Sequence, residues 1–234
     1  LAVPPAPRPT HKRNFLQQVV CELKFPTLFE LDSAKPPVSF AQALRKDYPN
    51  YQHATDFVLG GEKTNVHLFR SLDNGWTVSI RTSSIVIEAM RYTSFERFEE
   101  RLVKILRAAS QVIDSEFFTR VGLRYINALP WNKEEIHQWI RPELSGVVSL
   151  PELGQLRECF QRLSGPTDTG GFLLQHGLGV NTSTHKNEYI LDFDFFQENV
   201  EVKDTAELVR AMHKQEFDLF WWALGPKAQE ALLA

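Results

Sequence analysis

The chain has 234 residues, with 26 basic and 29 acidic side chains and a formal charge of −3, two cysteines and a 43% hydrophobic content. This is enough apolar material for a core in one large or two small domains, so global disorder is excluded. A weakly negative chain carries no electrostatic footprint for nucleic acid or anionic lipid, and the longest apolar stretch, Leu219 to Leu224, falls far short of a membrane span.

Residues 1–13 form a proline-rich extended lead-in, with Pro4, Pro5, Pro7 and Pro9. From Gln18 the chain alternates. Val19, Cys21, Leu23 and Phe25 share one face, which predicts a half-buried strand ended by Pro26. Ser39 and Gln42 have capping-box spacing and predict a short helix to about Asp47. Residues 57–91 predict a strand meander, turned at Asp73-Asn74-Gly75 and again at Thr82-Ser83-Ser84. Thr93 to Glu96 is a second capping box. The helix that follows carries Phe95, Phe98, Leu102, Ile105, Leu106, Ala109 and Ile113 on one stripe, with Glu100 and Lys104 paired on its wet side.

The second half restarts with a strand over Thr119–Asn127, in which Val121, Leu123 and Tyr125 oppose Arg120, Gly122, Arg124 and Ile126. Helical pieces are predicted near Glu134–Trp139 and Pro151–Leu163, the latter containing Cys159. A loop is expected over Ser164–Gly171, a strand over Phe172–Val180 and a polar turn over Asn181–Asn187. Tyr189, Leu191, Phe193 and Phe195 then form one face of a strand whose other face holds Ile190, Asp192, Asp194 and Phe196. A last long helix opens at Asp204 and Glu207. It presents Phe217, Phe220, Trp221 and Leu224 and stops at Gly225-Pro226. Strands grouped before helices predict an α+β fold with antiparallel sheet meanders, each followed by a long amphipathic helix. The two similar halves are 14–115 and 116–234.

Chemical motifs are sparse. The glycines of 165–170 have phosphate-loop spacing, but position 171 is Gly where a lysine is needed. No Gly-x-Ser-x-Gly elbow, zinc spacing or dinucleotide fingerprint occurs, so no catalytic residue, metal site or cofactor is assigned, and the reading leans away from an enzyme. Asp192 and Asp194 lie on one strand face with Cα atoms about 6–7 Å apart. Such a pair can chelate a hard cation, act as acid and base, or receive arginines. Arg120 and Arg124 also share a face, and Gly122 between them marks a close approach. If the two strands neighbour each other, Arg–Asp pairing satisfies both sets. The candidate binding residues are therefore Arg120, Arg124, Tyr125, Asp192 and Asp194, together with Trp221 and Trp222, one of which is expected in a sandwiched layer or an interface.

Several stretches together carry a resemblance: Glu22 with Phe25-Pro26, Arg91-Tyr92-Thr93-Ser94-Phe95-Glu96-Arg97-Phe98, Arg120-Val121-Gly122-Leu123-Arg124-Tyr125-Ile126-Asn127, Leu191-Asp192-Phe193-Asp194, and Met212-His213 with Phe217 to Trp222. From about Asn14 to Leu224 the chain resembles a sporadically distributed bacterial protein family to which no activity is attached. Phe95 stands where that pattern has Trp. Patchy distribution implies mobile-element, defence or toxin–antitoxin loci. The expectation is a cytoplasmic, non-catalytic protein-binding module, neutralising or chaperone-like, with another protein or a second copy of the chain as partner and neither nucleic acid nor membrane. The alternative is a small-ligand sensor or enzyme using a cavity between sheet and helices.

Overall fold

The structure is a computed structural model that describes residues 1–7, 14–57 and 63–233. Among them are nine strands: β1 (Leu16–Lys24), β2 (Asn50–Phe57), β3 (Lys63–Arg70), β4 (Trp76–Ile80), β5 (Ser84–Ala89), β6 (Phe117–Pro130), β7 (Cys159–Pro166), β8 (Gly171–Val180) and β9 (Asn187–Glu201). Six helices accompany them: α1 (Val38–Leu44), α2 (Phe95–Ala109), α3 (Ile136–Trp139), α4 (Pro142–Ser149), α5 (Thr205–Ala223) and α6 (Pro226–Leu233). The class is α+β, and the strand order in the antiparallel sheet is β2-β3-β4-β5-β1-β6-β9-β8-β7. No helix among the described residues is long and apolar enough to cross a membrane.

The chain divides into two compact units that are not consecutive in sequence. Unit one holds Leu1–Gln17, Arg124–Phe195 and Met212–Ala234; unit two holds Gln18–Leu123 and Phe196–Ala211.

Unit two is built on the alternation of its strands. Val19, Cys21 and Leu23 lie opposite Ala89, Ile87 and Ile85, which in turn face Trp76, Val78 and Ile80, and all but Trp76 are fully buried. Amphipathic α2 brings its stripe to this layer. Phe98, Leu102 and Ile105 are fully buried, and the Phe98 ring lies 5.8 Å from that of Trp76. Its cap is Ser94, one residue later than the sequence suggested, because the Arg97 amide donates to Ser94 Oγ at 3.4 Å. The helix ends at Ala109, so Ile113 is buried in the turn beyond it. Lys104 reaches Asp47 at 3.2 Å rather than Glu100, which ties α2 to the segment after α1.

Three local expectations fail in this unit. Helix α1 starts at Val38 with Pro37 at its cap position and no side-chain capping bond, so Ser39 sits inside it; it ends at Leu44, short of Asp47. The meander begins earlier than residue 57, because β2 starts at Asn50. It is an edge strand exposed along most of its length, which removes the alternation a sequence reading relies on. The part of the meander at 58–62 lies outside the described residues. The 73–75 turn forms as expected, with Asn74 at φ 53° and the Gly75 amide donating to Asp73 Oδ1 at 3.1 Å.

Unit one stacks α3, α4, α6 and part of α5 with β8 and β9. Tyr189, Leu191, Phe193 and Phe195 are all fully buried, and Phe193 meets Phe220 of α5 edge-on at 6.2 Å. The helix expected over Pro151–Leu163 does not exist. Pro151–Leu153 is a single 3-10 turn, and Cys159 to Pro166 forms strand β7, so Cys159 is a strand residue. The loop expected over 164–171 is a hairpin: Pro166 lies opposite Gly171, and the Thr167 amide donates to the Gly170 carbonyl at 3.0 Å. The strand pair needs Gly177, whose φ is +149° and whose missing Cβ would overlap the Cys159 carbonyl. Helix α5 ends at Ala223, just before the Gly225-Pro226 stop the sequence predicts, and Pro226–Leu233 adds a further short helix, α6. In the proline-rich lead-in, the Ala6 amide donates to Asp218 Oδ1 at 2.9 Å; its residues 8–13 lie outside the described set.

Candidate functional site

Strands β6 and β9 are neighbours in the sheet order, and this adjacency settles the arginine and aspartate faces. Arg124 forks onto Asp192. Nε donates to Oδ1 at 2.7 Å and an Nη to Oδ2 at 2.6 Å, a planar bidentate match. The Asp192 bonds, with the added charge of Asp194, hold the Arg124 pKa above its ordinary value. The two partners differ in setting: the Arg124 side chain keeps 46% of its surface open, that of Asp192 only 11%.

This difference makes a directional expectation. Arg124→Ala strands a nearly buried carboxylate, whereas Asp192→Ala frees a guanidinium that is already half in water. The arginine deletion should therefore be the more costly, on the order of 2 kcal/mol, between the surface and buried limits for ion pairs. Urea unfolding of both single variants and the double variant reads the coupling. A coupling of zero would remove the structural role of the pair.

Arg120 lies in unit two. Its guanidinium donates to Glu22 Oε2 at 2.9 Å and lies 4.9 Å from the centroid of the Phe196 ring. Gly122 has the close approach expected of it, but the neighbour is Arg120 itself: a Cβ there would collide with that guanidinium. The room over this strand is filled by the arginine, and no ligand is needed to explain the glycine.

Tyr125 points to the opposite side of β6 from Arg124. Its hydroxyl is 2.9 Å from His213 Nδ1 on α5, with the rings 5.8 Å apart. The two tryptophans of α5 are half-buried and separately occupied. Trp221 stacks on Phe217 at 6.4 Å. Trp222 lies under the Arg141 guanidinium at 5.0 Å, and Arg141 Nε donates to its carbonyl at 2.7 Å. This clamp ties the start of α4 to the end of α5 within unit one.

The structure adds groups that the sequence reading passed over. The buried stripe of α5 is not Phe217, Phe220, Trp221 and Leu224, of which only Leu224 is buried. It runs through Thr205, Leu208, Val209, Met212, Glu216, Leu219 and Ala223. Glu216 is 2% exposed, and neither carboxyl oxygen has a hydrogen-bond partner among the described residues. Burial first, then the charges of Asp194 and Asp192, raise its pKa well above the usual carboxyl range, which favours its protonated form. The signal was present: Met212, Glu216, Leu219 and Ala223 follow helical spacing, and one polar letter hid the stripe.

Tyr189 is the second such group. Its hydroxyl donates to the Leu144 carbonyl at 2.9 Å and lies 2.8 Å from His176 Nδ1. Its single proton being committed to Leu144, the hydroxyl accepts from His176, which assigns the Nδ1–H tautomer. Burial lowers the His176 pKa and raises that of Tyr189, so the pair is a neutral polar pin holding α4 on the sheet.

Surface depressions lie elsewhere. One of about 330 Å³ is lined by Trp131, Lys133, Val148, Gly154, Gln155 and Leu156 in unit one. Another of about 320 Å³ is lined by Gln197, Asn199, Val200, Glu201, Asp204, Glu207 and Leu208 in unit two. Among the described residues no three His, Cys, Asp or Glu side chains gather where they could hold a metal ion. Compared with known proteins, the chain matches no family model and no curated sequence.

Proposed function

We propose that this protein is a non-catalytic binding module that recognises another protein through the β6–β9 face bearing Arg124, Asp192 and Asp194. The observation that carries this reading is the open setting of Arg124, which is fixed in direction by Asp192 yet half available to a partner. An oriented, partly solvated guanidinium is the kind of group that anchors protein interfaces. The role of a neutralising or chaperone-like partner in a bacterial defence or toxin–antitoxin type locus rests on the family resemblance alone. A cytoplasmic setting accords with two cysteines, Cys21 and Cys159, that form no disulfide. The pairing of strands with a following long helix in 14–115 and again in 116–234 belongs to the same proposal; its support is the order β1–β5 then α2, and β6–β9 then α5.

The test is a charge swap. Arg124→Asp combined with Asp192→Arg preserves an ion pair but reverses what a partner meets. We expect melting to stay close to that of the parent while a specific protein co-purifying from source cells is lost. Retention of that protein by the swapped variant, at unchanged stoichiometry, would defeat the assignment.

A second reading, a ligand site between sheet and helix, is favoured by one observation: both carboxyl oxygens of the buried Glu216 lack a hydrogen-bond partner among the described residues. A small molecule with complementary groups would satisfy it. Ligand-induced stabilisation of the parent that Glu216→Leu abolishes would support this reading over the first.

A further inference from the structure

Strand β7 closes one end of the strand order, so among the described residues its outer edge has no strand beside it. Sheet edges in folded proteins are ordinarily blunted by lysines, prolines or bulges, because a row of free amides and carbonyls is a template for another strand. β7 carries little of this protection. Its one charge is Arg162, and its proline, Pro166, sits at the hairpin end. Phe160 and Leu163 are 40% and 46% exposed.

The register with β8 fixes which side each residue faces. Gln161 and Leu163 lie opposite His176 and Leu174, both buried, so Cys159, Gln161 and Leu163 edge the helix-covered side. Phe160 and Arg162 lie on the other side, where the Phe160 ring passes close over Gly179.

We propose that β7 pairs antiparallel with β7 of a second copy of this chain, about a two-fold axis through Gln161. A two-fold axis normal to a sheet pairs residues of equal parity, so the pairing must centre on a residue. Centring on Arg162 sets arginine against arginine, which is unfavourable. Centring on Leu163 brings Pro166, which has no amide proton, into the ladder. Centring on Phe160 requires Arg157 and Glu158, which lie outside the strand. The Gln161 register avoids all three. On the open side it sets each Phe160 against Arg162 of the copy, a cation–π match made twice. On the helix side it sets each Leu163 against Cys159 of the copy. The second copy is thus selected by the complementarity of this edge to itself, and the inference is independent of the role given to Arg124.

The full chain is tested by mass photometry and light scattering, at concentrations up to tens of micromolar, under reducing conditions. The parent is expected to be a dimer. Phe160→Lys places a lysine against Arg162 of the copy and should weaken the dimer by about tenfold or more. Adding Arg162→Glu to that variant restores opposite charges and should recover it. Leu163→Cys supplies a direct crosslink: antiparallel partners sit at Cα distances that a disulfide accepts, so mild oxidation should join position 163 of one copy to Cys159 of the other. A monomeric parent overturns the proposal. So does a dimer whose strength ignores Phe160→Lys and its rescue, or one whose crosslinked peptides do not join 163 to 159. Because the crosslink reads proximity in folded protein, a poorly folding lysine variant leaves the proposal still open to refutation.

Discussion

Replacing Glu216 by glutamine will flatten the pH dependence of stability and favour the variant increasingly as the pH rises. In the folded protein the carboxyl is buried without a hydrogen-bond partner among the described residues, and its pKa is raised. In the unfolded chain it titrates near the ordinary value of about 4.3. Below that value both states hold the proton and the group makes no difference. Above it the unfolded chain ionises while the folded one stays neutral, so the folded state binds more protons and loses stability. The loss is about 1.4 kcal/mol per pH unit, and it continues until the folded carboxyl ionises too. Glutamine is always neutral and removes this slope. Urea midpoints for parent and variant at half-unit steps from pH 5 to pH 8 measure the difference. Parallel curves would mean that Glu216 is ionised and compensated in the folded protein.

The second large effect is expected at Leu102. This residue lies between Phe98 and Ile105 on the buried stripe of α2, and all three are fully buried. Leu102→Ala should cost about 2–5 kcal/mol, combining lost transfer energy with the cavity left behind. A cost under about 0.5 kcal/mol, typical of surface positions, would contradict the packing described.

Legibility in the sequence followed burial. Strand β9 and helix α2 were readable because each buries one face completely: alternation at Tyr189, Leu191, Phe193 and Phe195, and helical spacing at Phe98, Leu102 and Ile105. Strands β2 and β7 were not. Both lie at the ends of the sheet order and are exposed along much of their length, so neither period is enforced, and 151–163 could pass for a helix. In α5 the aromatic residues drew the stripe one position aside. Phe217, Phe220 and Trp221 are large but only half-buried, while the buried line passes through an acid. Of the candidate site, the Arg124–Asp192 contact was anticipated from charge and parity. The contact of Arg120 with Glu22 on β1 was not, since nothing in the local sequence marks Glu22 as a partner for it.

The interleaving of the two units bears on synthesis. Gln18–Leu123 emerges from the ribosome well before Phe196–Ala211, the segment that completes its unit. At roughly 5–20 residues per second, the early segment waits several seconds for the pieces that complete it. During that interval the apolar faces of β1, β4 and β5 and the stripe of α2 exist without their full complement. Nor is there a single cut in the chain that releases either unit whole, because every cut leaves one of them missing a segment. Production of half-chains should therefore give aggregates, and a nascent chain of this sequence is a natural client for holding factors until residue 211 is out.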